Sequence, residues 1–131
     1  MSHFSKIQTR IHDIVILKKT LSSLGFRNNS SSNQLEDEKG KIYHVDLIVQ
    51  PSEKALTMQP IGFIWDGLQY NIVTDLAHWP SKGLFDFFLE KLNQQYSLNV
   101  ILDRTVKDGF QKIEQRVLKD GSMKVIVQKW N

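Results

Sequence analysis

The sequence contains no cysteine, and its 131 residues include three prolines and seven glycines. The absence of thiols excludes disulfide bonds, iron–sulfur ligation and thiolate zinc sites, and it suits a reducing compartment. No apolar run approaches the roughly 20 residues that a membrane-spanning helix needs. The N-terminus, MSHFSKIQTR, has no signal-peptide core and is too short for a transit peptide. We therefore expect a soluble protein without a membrane span that acts in the compartment where it is made.

Apolar residues make up 40% of the chain and charged residues 24%, which is typical of a globular protein. We expect residues 1–131 to form a single domain, because the chain has no repeat and no domain-length linker. The net charge of +3 is unevenly spread: residues 1–27 carry five Lys or Arg and one acid, whereas residues 28–81 carry three and seven. A basic stripe interleaved with aromatic residues, the usual footprint of a nucleic-acid binder, does not appear.

The most structured segment of the sequence is IGFIWDGLQYNIVTDLAHW, residues 61–79. Asp66-Gly67 lies between two runs of apolar, aromatic and β-branched residues, a pattern that predicts a hairpin with a two-residue turn. Ile64 and Val73 make the second face of this hairpin partly apolar. We therefore expect the hairpin to lie in the centre of a sheet that is covered on both faces.

The N-terminal third predicts two strands and a helix. Residues 2–11 alternate between β-branched and long polar side chains, as in a half-buried strand. Asp13 is placed to cap a helix that continues to Leu24, and Gly25 is placed to end it. Residues 41–50 predict a second strand in which Tyr43, Val45, Leu47 and Val49 face one way and Ile42, His44, Asp46 and Ile48 face the other.

Between these strands, Asn28 to Gly40 is polar and predicts a mobile surface loop or the tip of a long hairpin. Its acidic run, Glu36-Asp37-Glu38, raises the question of a metal site. Nothing in the run fixes the geometry of the carboxylates, so a solvated surface is the simpler interpretation. No metal or cofactor is predicted here.

The C-terminal half predicts a helix opened by Ser81, a second short helix ended by Asp108-Gly109, and a hairpin reversed near Asp120-Gly121. The predicted order is β-α-β-β-β-α-(α)-β-β. Because most strands are neighbours in sequence, this order predicts an α+β domain with a mainly antiparallel sheet and helices packed on one side.

Residues with chemical potential are few. His44 and Asp46 alternate on one strand, which places an imidazole and a carboxylate on the same face, where they could form a catalytic pair or a solvated pair. No histidine pair has the i, i+4 helical spacing of a metal site, and no glycine-rich phosphate loop or nucleophile elbow is present. The sequence therefore predicts no catalytic residue.

The tripeptide His78-Trp79-Pro80 is the most unusual local feature. It separates the central hairpin from the aromatic-rich helix, so Trp79 can be a core side chain or an exposed anchor for a partner. Trp65 and Trp130, at strand ends, pose the same choice. We interpret Trp79 as packed, and we keep His78, Trp79 and Trp130 with His44 and Asp46 as candidate binding residues.

Several short motifs resemble the hypothetical chloroplast reading frame thirty-five family of cyanobacteria and red-algal and related plastids. The resemblance covers essentially the whole chain, and residues 28–40 depart most from the family pattern. The motifs are MSHFSKIQT, Leu24-Gly25-Phe26, Asp46-Leu47-Ile48-Val49, Ile61-Gly62-Phe63, Trp65-Asp66-Gly67, Asp108-Gly109-Phe110 and Asp120-Gly121-Ser122.

The resemblance implies a location more than a reaction. A plastid-encoded member would act in the chloroplast stroma and a cyanobacterial one in the cytoplasm, and the family offers no reaction or catalytic residue to transfer. It implies a role with photosynthetic complexes, so we expect a non-catalytic accessory or assembly module that binds a protein partner. Two alternatives stay open: an RNA- or ribosome-associated factor that uses the basic ends of the chain, and an enzyme that uses the His44/Asp46 face.

Overall fold

A computed structural model describes residues 4–28, 33–51 and 60–129 of the chain. The elements in chain order are β1 (Ser5–Ile11), α1 (Ile14–Ser23), β2 (Phe26–Asn28), β3 (Gln34–Glu36), β4 (Ile42–His44), β5 (Leu47–Pro51), β6 (Ile61–Trp65), β7 (Tyr70–Thr74), a 3-10 turn (Leu76–His78), α2 (Lys82–Lys107), β8 (Phe110–Val117) and β9 (Met123–Lys129).

Five strands form one antiparallel sheet in the order β1-β7-β6-β5-β2, so the β6–β7 hairpin is at its centre. β3 pairs with β4, and β8 pairs with β9, in two further two-stranded sheets that are also antiparallel. The predicted α+β class with a mainly antiparallel sheet is confirmed.

The two faces of the main sheet are covered differently. On one face both helices pack over the larger core, whose fully buried members include Leu17, Leu21, Ile61, Phe63, Ile72 and Leu92. On the other face the β3–β4 hairpin packs over a smaller core, in which Leu35, Val45, Ile48 and Val73 are buried. Gly62 lies under this hairpin, where an added Cβ would come within 2.7 Å of Leu35 Cδ1.

The helices begin where the sequence predicts. The Asp13 carboxylate accepts the backbone N–H groups of Val15 and Ile16 at 2.9 and 3.1 Å, and the Ser81 hydroxyl accepts that of Leu84 at 3.1 Å. The prediction of a break within the second helical region is wrong, because α2 runs unbroken from Lys82 to Lys107. Leu98, at which the apolar phase of the sequence changes, is buried outside the two sheet cores, on a helix that also packs against β8.

The strand predicted over residues 41–50 is two strands. The Val45 N–H donates to the Asn33 backbone carbonyl at 2.9 Å. The next residue, Asp46, donates its N–H to the Phe63 carbonyl at 2.8 Å. The chain therefore crosses from the β3–β4 hairpin to the main sheet between these two residues. As a result Val45 joins the smaller core while Leu47 joins the larger one, contrary to the predicted common face.

The polar segment also contains regular structure. Its described part includes β3, and Leu35 in the middle of β3 is 4% exposed. One leucine between polar neighbours gives too little periodicity for a strand to be recognised from sequence. Residues 29–32 of the predicted loop lie outside the described residues.

The turn of the central hairpin lies one residue later than predicted. Asp66 N–H donates to the Gln69 carbonyl at 3.0 Å, so Gly67 and Leu68 are the central residues of the turn. Gly67 has φ of +103°, and no described residue other than glycine has a positive φ. Asp66 contributes hydrogen bonds to the turn instead of a left-handed backbone.

Candidate functional site

A groove of about 710 Å³ runs beside β1. Residues 8–11 line it, together with Asn93, Tyr96 and Ser97 of α2 and Gln69 of the β6–β7 turn. Exposure alternates along this part of β1, with Thr9 and Ile11 buried and Gln8 and Arg10 exposed. Because successive strand residues point to opposite faces, a cavity that touches four consecutive ones lies along the strand edge.

A bulge shapes this edge. The register pairs Ile7 with Ile72 and then Ile11 with Tyr70, so three residues of β1 stand opposite the single residue Asn71. The Thr9 hydroxyl bridges the irregularity: it donates to the Tyr70 carbonyl and accepts the Ile11 N–H at 3.0 Å. Thr9 thereby supplies ladder hydrogen bonds that the bulge removes, which bends the strand without leaving these groups unpaired.

Tyr96 links the groove to the first helix. Its side chain belongs to the larger core and the residue is 6% exposed. Its hydroxyl oxygen accepts the backbone N–H groups of His12 and Asp13 at 3.3 and 3.1 Å. These two hydrogen bonds hold the connection between β1 and α1 against α2, at a residue that also lines the groove.

An apolar tip lies next to the groove. Leu68 is 78% exposed and Trp65 is 42% exposed, and the Trp65 ring packs on Tyr70 with 4.9 Å between ring centroids. Leu68 precedes Gln69, which lines the groove. We call Trp65, Leu68 and Tyr70 the hairpin tip.

Asp66 holds the hairpin tip in place. Its Oδ1 accepts the N–H groups of Leu68 and Gln69 at 2.8 and 2.9 Å, and its Oδ2 accepts the Asn71 amide at 3.0 Å. The backbone N–H groups of Gln69 and Leu68, which favour the charged carboxylate, lower the pKa of Asp66. Burial, followed by the Asp46 and Asp13 carboxylates, raises the pKa of Tyr70.

The structure does not join His44 to Asp46. His44 is exposed on β4, whereas the Asp46 carboxylate accepts the Trp65 N–H at 2.6 Å from beyond the strand break. Among the described residues no hydrogen bond or ion pair links the two side chains. Asp46 instead connects the crossing point of the chain to the central hairpin.

His78 lies between two carboxylates. Its Nε2 is 2.7 Å from Glu38 Oε1 and 3.3 Å from Asp75 Oδ2. Since both neighbours are hydrogen-bond acceptors, Nε2 is the nitrogen that carries the proton. Glu38 is in the β3–β4 turn, so His78 ties this hairpin to the end of β7. The side chains of His78 and Glu38 are 37% and 59% exposed, and such surface pairs contribute about 0–1 kcal/mol.

Trp79 is a core side chain. It is 5% exposed, its Nε1–H donates to Thr74 Oγ1 at 3.0 Å, and its ring contacts Phe85 and Phe88 with centroids 5.1 and 5.5 Å away. Trp79 therefore joins β7 to the start of α2 as part of the core. Trp130 lies outside the described residues.

Sequence reasoning missed the groove. The alternation of β1 predicts the exposure of Lys6, Gln8 and Arg10. The bulge and the approach of α2 come instead from tertiary packing. One signal was available in Tyr96: a tyrosine within an apolar helical stripe needs a hydrogen-bond partner when buried, which indicates a backbone contact nearby.

Neither a metal-binding cluster nor a membrane-spanning helix is present in the described residues. Within residues 4–28, 33–51 and 60–129, no group of three or more His, Asp or Glu side chains is arranged to hold a metal ion. In these ranges no helix combines the length and apolar character needed to cross a bilayer.

Comparison with known proteins places the chain among uncharacterised relatives. A family profile described as "Protein of unknown function (DUF1257)" matches residues 7–126. "Uncharacterized protein ycf35" of Pyropia yezoensis is 39% identical over 131 residues, which cover 100% of this chain and 99% of the relative. Proteins of the same description from Cyanophora paradoxa and Guillardia theta are each 33% identical over 130 residues, covering 99% of this chain and 98% of theirs. No solved structure matches the chain. The resemblance seen in the sequence is confirmed.

Proposed function

The chain belongs to the DUF1257 family of proteins of unknown function, and we propose that it is a non-catalytic accessory or assembly module that binds a protein partner. The partner belongs to a photosynthetic or other plastid complex. The site of action is the chloroplast stroma for an algal protein and the cytoplasm for a cyanobacterial one.

The hairpin tip carries this proposal. Leu68 and Trp65 expose apolar surface beside a polar groove, and Asp66 fixes the turn between them. Apolar anchors surrounded by polar groups are typical of protein interfaces, in which a few aromatic and aliphatic side chains supply most of the binding energy. A rigid turn loses little conformational entropy when it binds.

The groove supports binding over catalysis. Apart from Ile11, the residues that line it have amide, hydroxyl or guanidinium side chains, and among its described lining residues there is no carboxylate or imidazole. The general base of an enzyme is most often an imidazole or a carboxylate, and a base in this groove would have to be a less common group. Side-chain amides and hydroxyls instead suit hydrogen bonding to the backbone and polar side chains of a partner.

An affinity pull-down from native extract, read by mass spectrometry, tests the proposal with Leu68→Ser. Val15→Ser is the matched control, because Val15 is 72% exposed on α1 and does not line the groove. We expect Leu68→Ser to lose the proteins that the unmodified chain retains, since an interface anchor contributes about 2 kcal/mol or more, and we expect Val15→Ser to keep them. Equal capture by all three proteins would contradict a role for the hairpin tip.

A further inference from the structure

The outer edge of β1 has the geometry to accept another extended chain. β1 pairs with β7 on one side and with no other described strand. The groove lies beside residues 8–11 and is closed by Gln69 of the β6–β7 turn and by residues of α2. The bulge takes Gln8, Thr9 and Arg10 out of register with β7, so the backbone beside the groove does not form a regular ladder with that strand.

The charge of this edge selects its occupant. β1, SKIQTRI, carries Lys6 and Arg10 as exposed cations and contains no acid. If two copies of the chain paired through this edge about Gln8, Lys6 of one copy would stand opposite Arg10 of the other. Like charges directly opposite each other destabilise an antiparallel pair. Self-pairing is therefore disfavoured, and an acidic strand is favoured.

We infer that the groove binds an extended, acidic segment of the partner protein, which lies along β1 and places a carboxylate against Arg10. This inference rests on the proposed function and names the partner's chemistry. The segment forms main-chain hydrogen bonds with the β1 edge, as in other cases of strand addition. Asn93 and Ser97 of α2, with Gln69 of the turn, supply hydrogen-bonding groups along the groove.

A defined peptide tests the inference without knowledge of the partner. The probe is Ac-Val-Glu-Val-Thr-Val-Glu-Val-Thr-NH2, titrated into the full-length 15N-labelled chain and followed by NMR. We expect saturable shifts of the backbone amides of residues 8–11 and of Gln69. A peptide with lysine at both glutamate positions, and one N-methylated at alternate residues, are expected to bind at least about tenfold more weakly, because the first opposes the cations and the second blocks backbone pairing.

Two charge-reversal variants of the protein, one in the groove and one outside it, test the role of Arg10. Arg10→Glu is expected to raise the Kd of the acidic peptide about tenfold or more, since like charges then face each other. Lys39→Glu is the control: it makes the same change of charge in the β3–β4 turn, which packs on the other face of the sheet. Arg10 and Lys39 are both exposed. The amide spectrum of each variant protein reports whether it is folded.

Three results would overturn the inference: no saturable shift at residues 8–11, equal binding of the acidic and lysine peptides, or dimerisation of the chain through β1 in light scattering. The two proposals fail separately. Capture of a partner that depends on Leu68 but is unaffected by Arg10→Glu would remove the groove assignment alone. Peptide binding at β1 without any partner that depends on Leu68 would remove the role of the hairpin tip alone.

Discussion

Gly67 is held in a left-handed conformation that its neighbours impose. Its φ is +103°, and an added Cβ would meet no atom within 4 Å, so a substitution here is strained by backbone conformation and not by crowding. We expect Gly67→Val to lower the free energy of unfolding by about 1–3 kcal/mol, because a β-branched residue is strongly disfavoured at positive φ. Urea denaturation measures this change.

Gly83→Ala is the comparison for Gly67→Val. Gly83 is the second residue of α2, and its added Cβ would come no closer than 3.9 Å, to the Ser81 hydroxyl. We expect this change to be neutral or to stabilise by up to about 1 kcal/mol, because alanine favours helix. Equal destabilisation by the two substitutions would show that the positive φ at position 67 does not disfavour a residue with a side chain.

Trp79 tests packing at the junction of β7 and α2. We expect Trp79→Ala to cost about 3–5 kcal/mol, because it leaves a cavity beside Phe85 and Phe88 and removes the donor to Thr74. Trp65→Ala is the control at an exposed tryptophan and should lower the melting temperature much less. An unchanged melt for Trp79→Ala would contradict the core assignment.

At the scale of elements, the β3–β4 hairpin packs closely over Gly62 of the sheet. A Cβ at Gly62 would lie 2.7 Å from Leu35 Cδ1 and 3.1 Å from Val45 Cγ1. We expect Gly62→Ala to cost about 1–3 kcal/mol in unfolding free energy, because both buried side chains have to shift.

A double-mutant cycle identifies the contact that is responsible. Leu35→Ala opens space above Gly62, so the cost of Gly62→Ala should fall when Leu35→Ala is already present, with a coupling of about 0.5–3 kcal/mol. Additive costs would mean that the hairpin does not rest on Gly62 through Leu35.

The helices and strands also show which features of the fold could be predicted from the sequence. The caps at Asp13 and Ser81 and the central hairpin are local features, written in consecutive residues, and they were predicted. The crossing between Val45 and Asp46 was missed because alternation continues through it, although the two sides join different layers. α2 was divided in prediction because the apolar spacing changes phase at Leu98, which is buried but belongs to neither sheet core.

The candidate site was missed for the same reason, because it is formed by contacts between residues distant in sequence. Arg10 and Gln8 were predicted to point outward, but their proximity to Asn93 and Ser97 arises from packing between residues more than 80 positions apart. His78 was singled out as unusual, and its partner Glu38 comes from a segment predicted to be a loop. Local patterns therefore predicted which residues are exposed, and tertiary contacts decided which of them meet.

At the scale of the whole molecule, acid pH acts on two hairpin turns through their aspartates. The N–H groups of Gln69 and Leu68 lower the pKa of Asp66, and the Ser122 hydroxyl and N–H lower that of Asp120. An aspartate with a lower pKa in the folded state stabilises the fold above its unfolded pKa of about 3.9, and this contribution disappears as the pH falls through the folded pKa.

We therefore expect the melting temperature of the unmodified chain to fall below about pH 4 more steeply than that of the Asp66→Asn, Asp120→Asn double variant. At pH 7 the variant should be the less stable protein, because its amides accept the turn hydrogen bonds more weakly than carboxylates do. The gap between the two melting temperatures should then narrow as both carboxylates become protonated. Thermal unfolding by circular dichroism from pH 7 to pH 2 measures the gap, and a constant difference across that range would show that the two charges do not stabilise the turns.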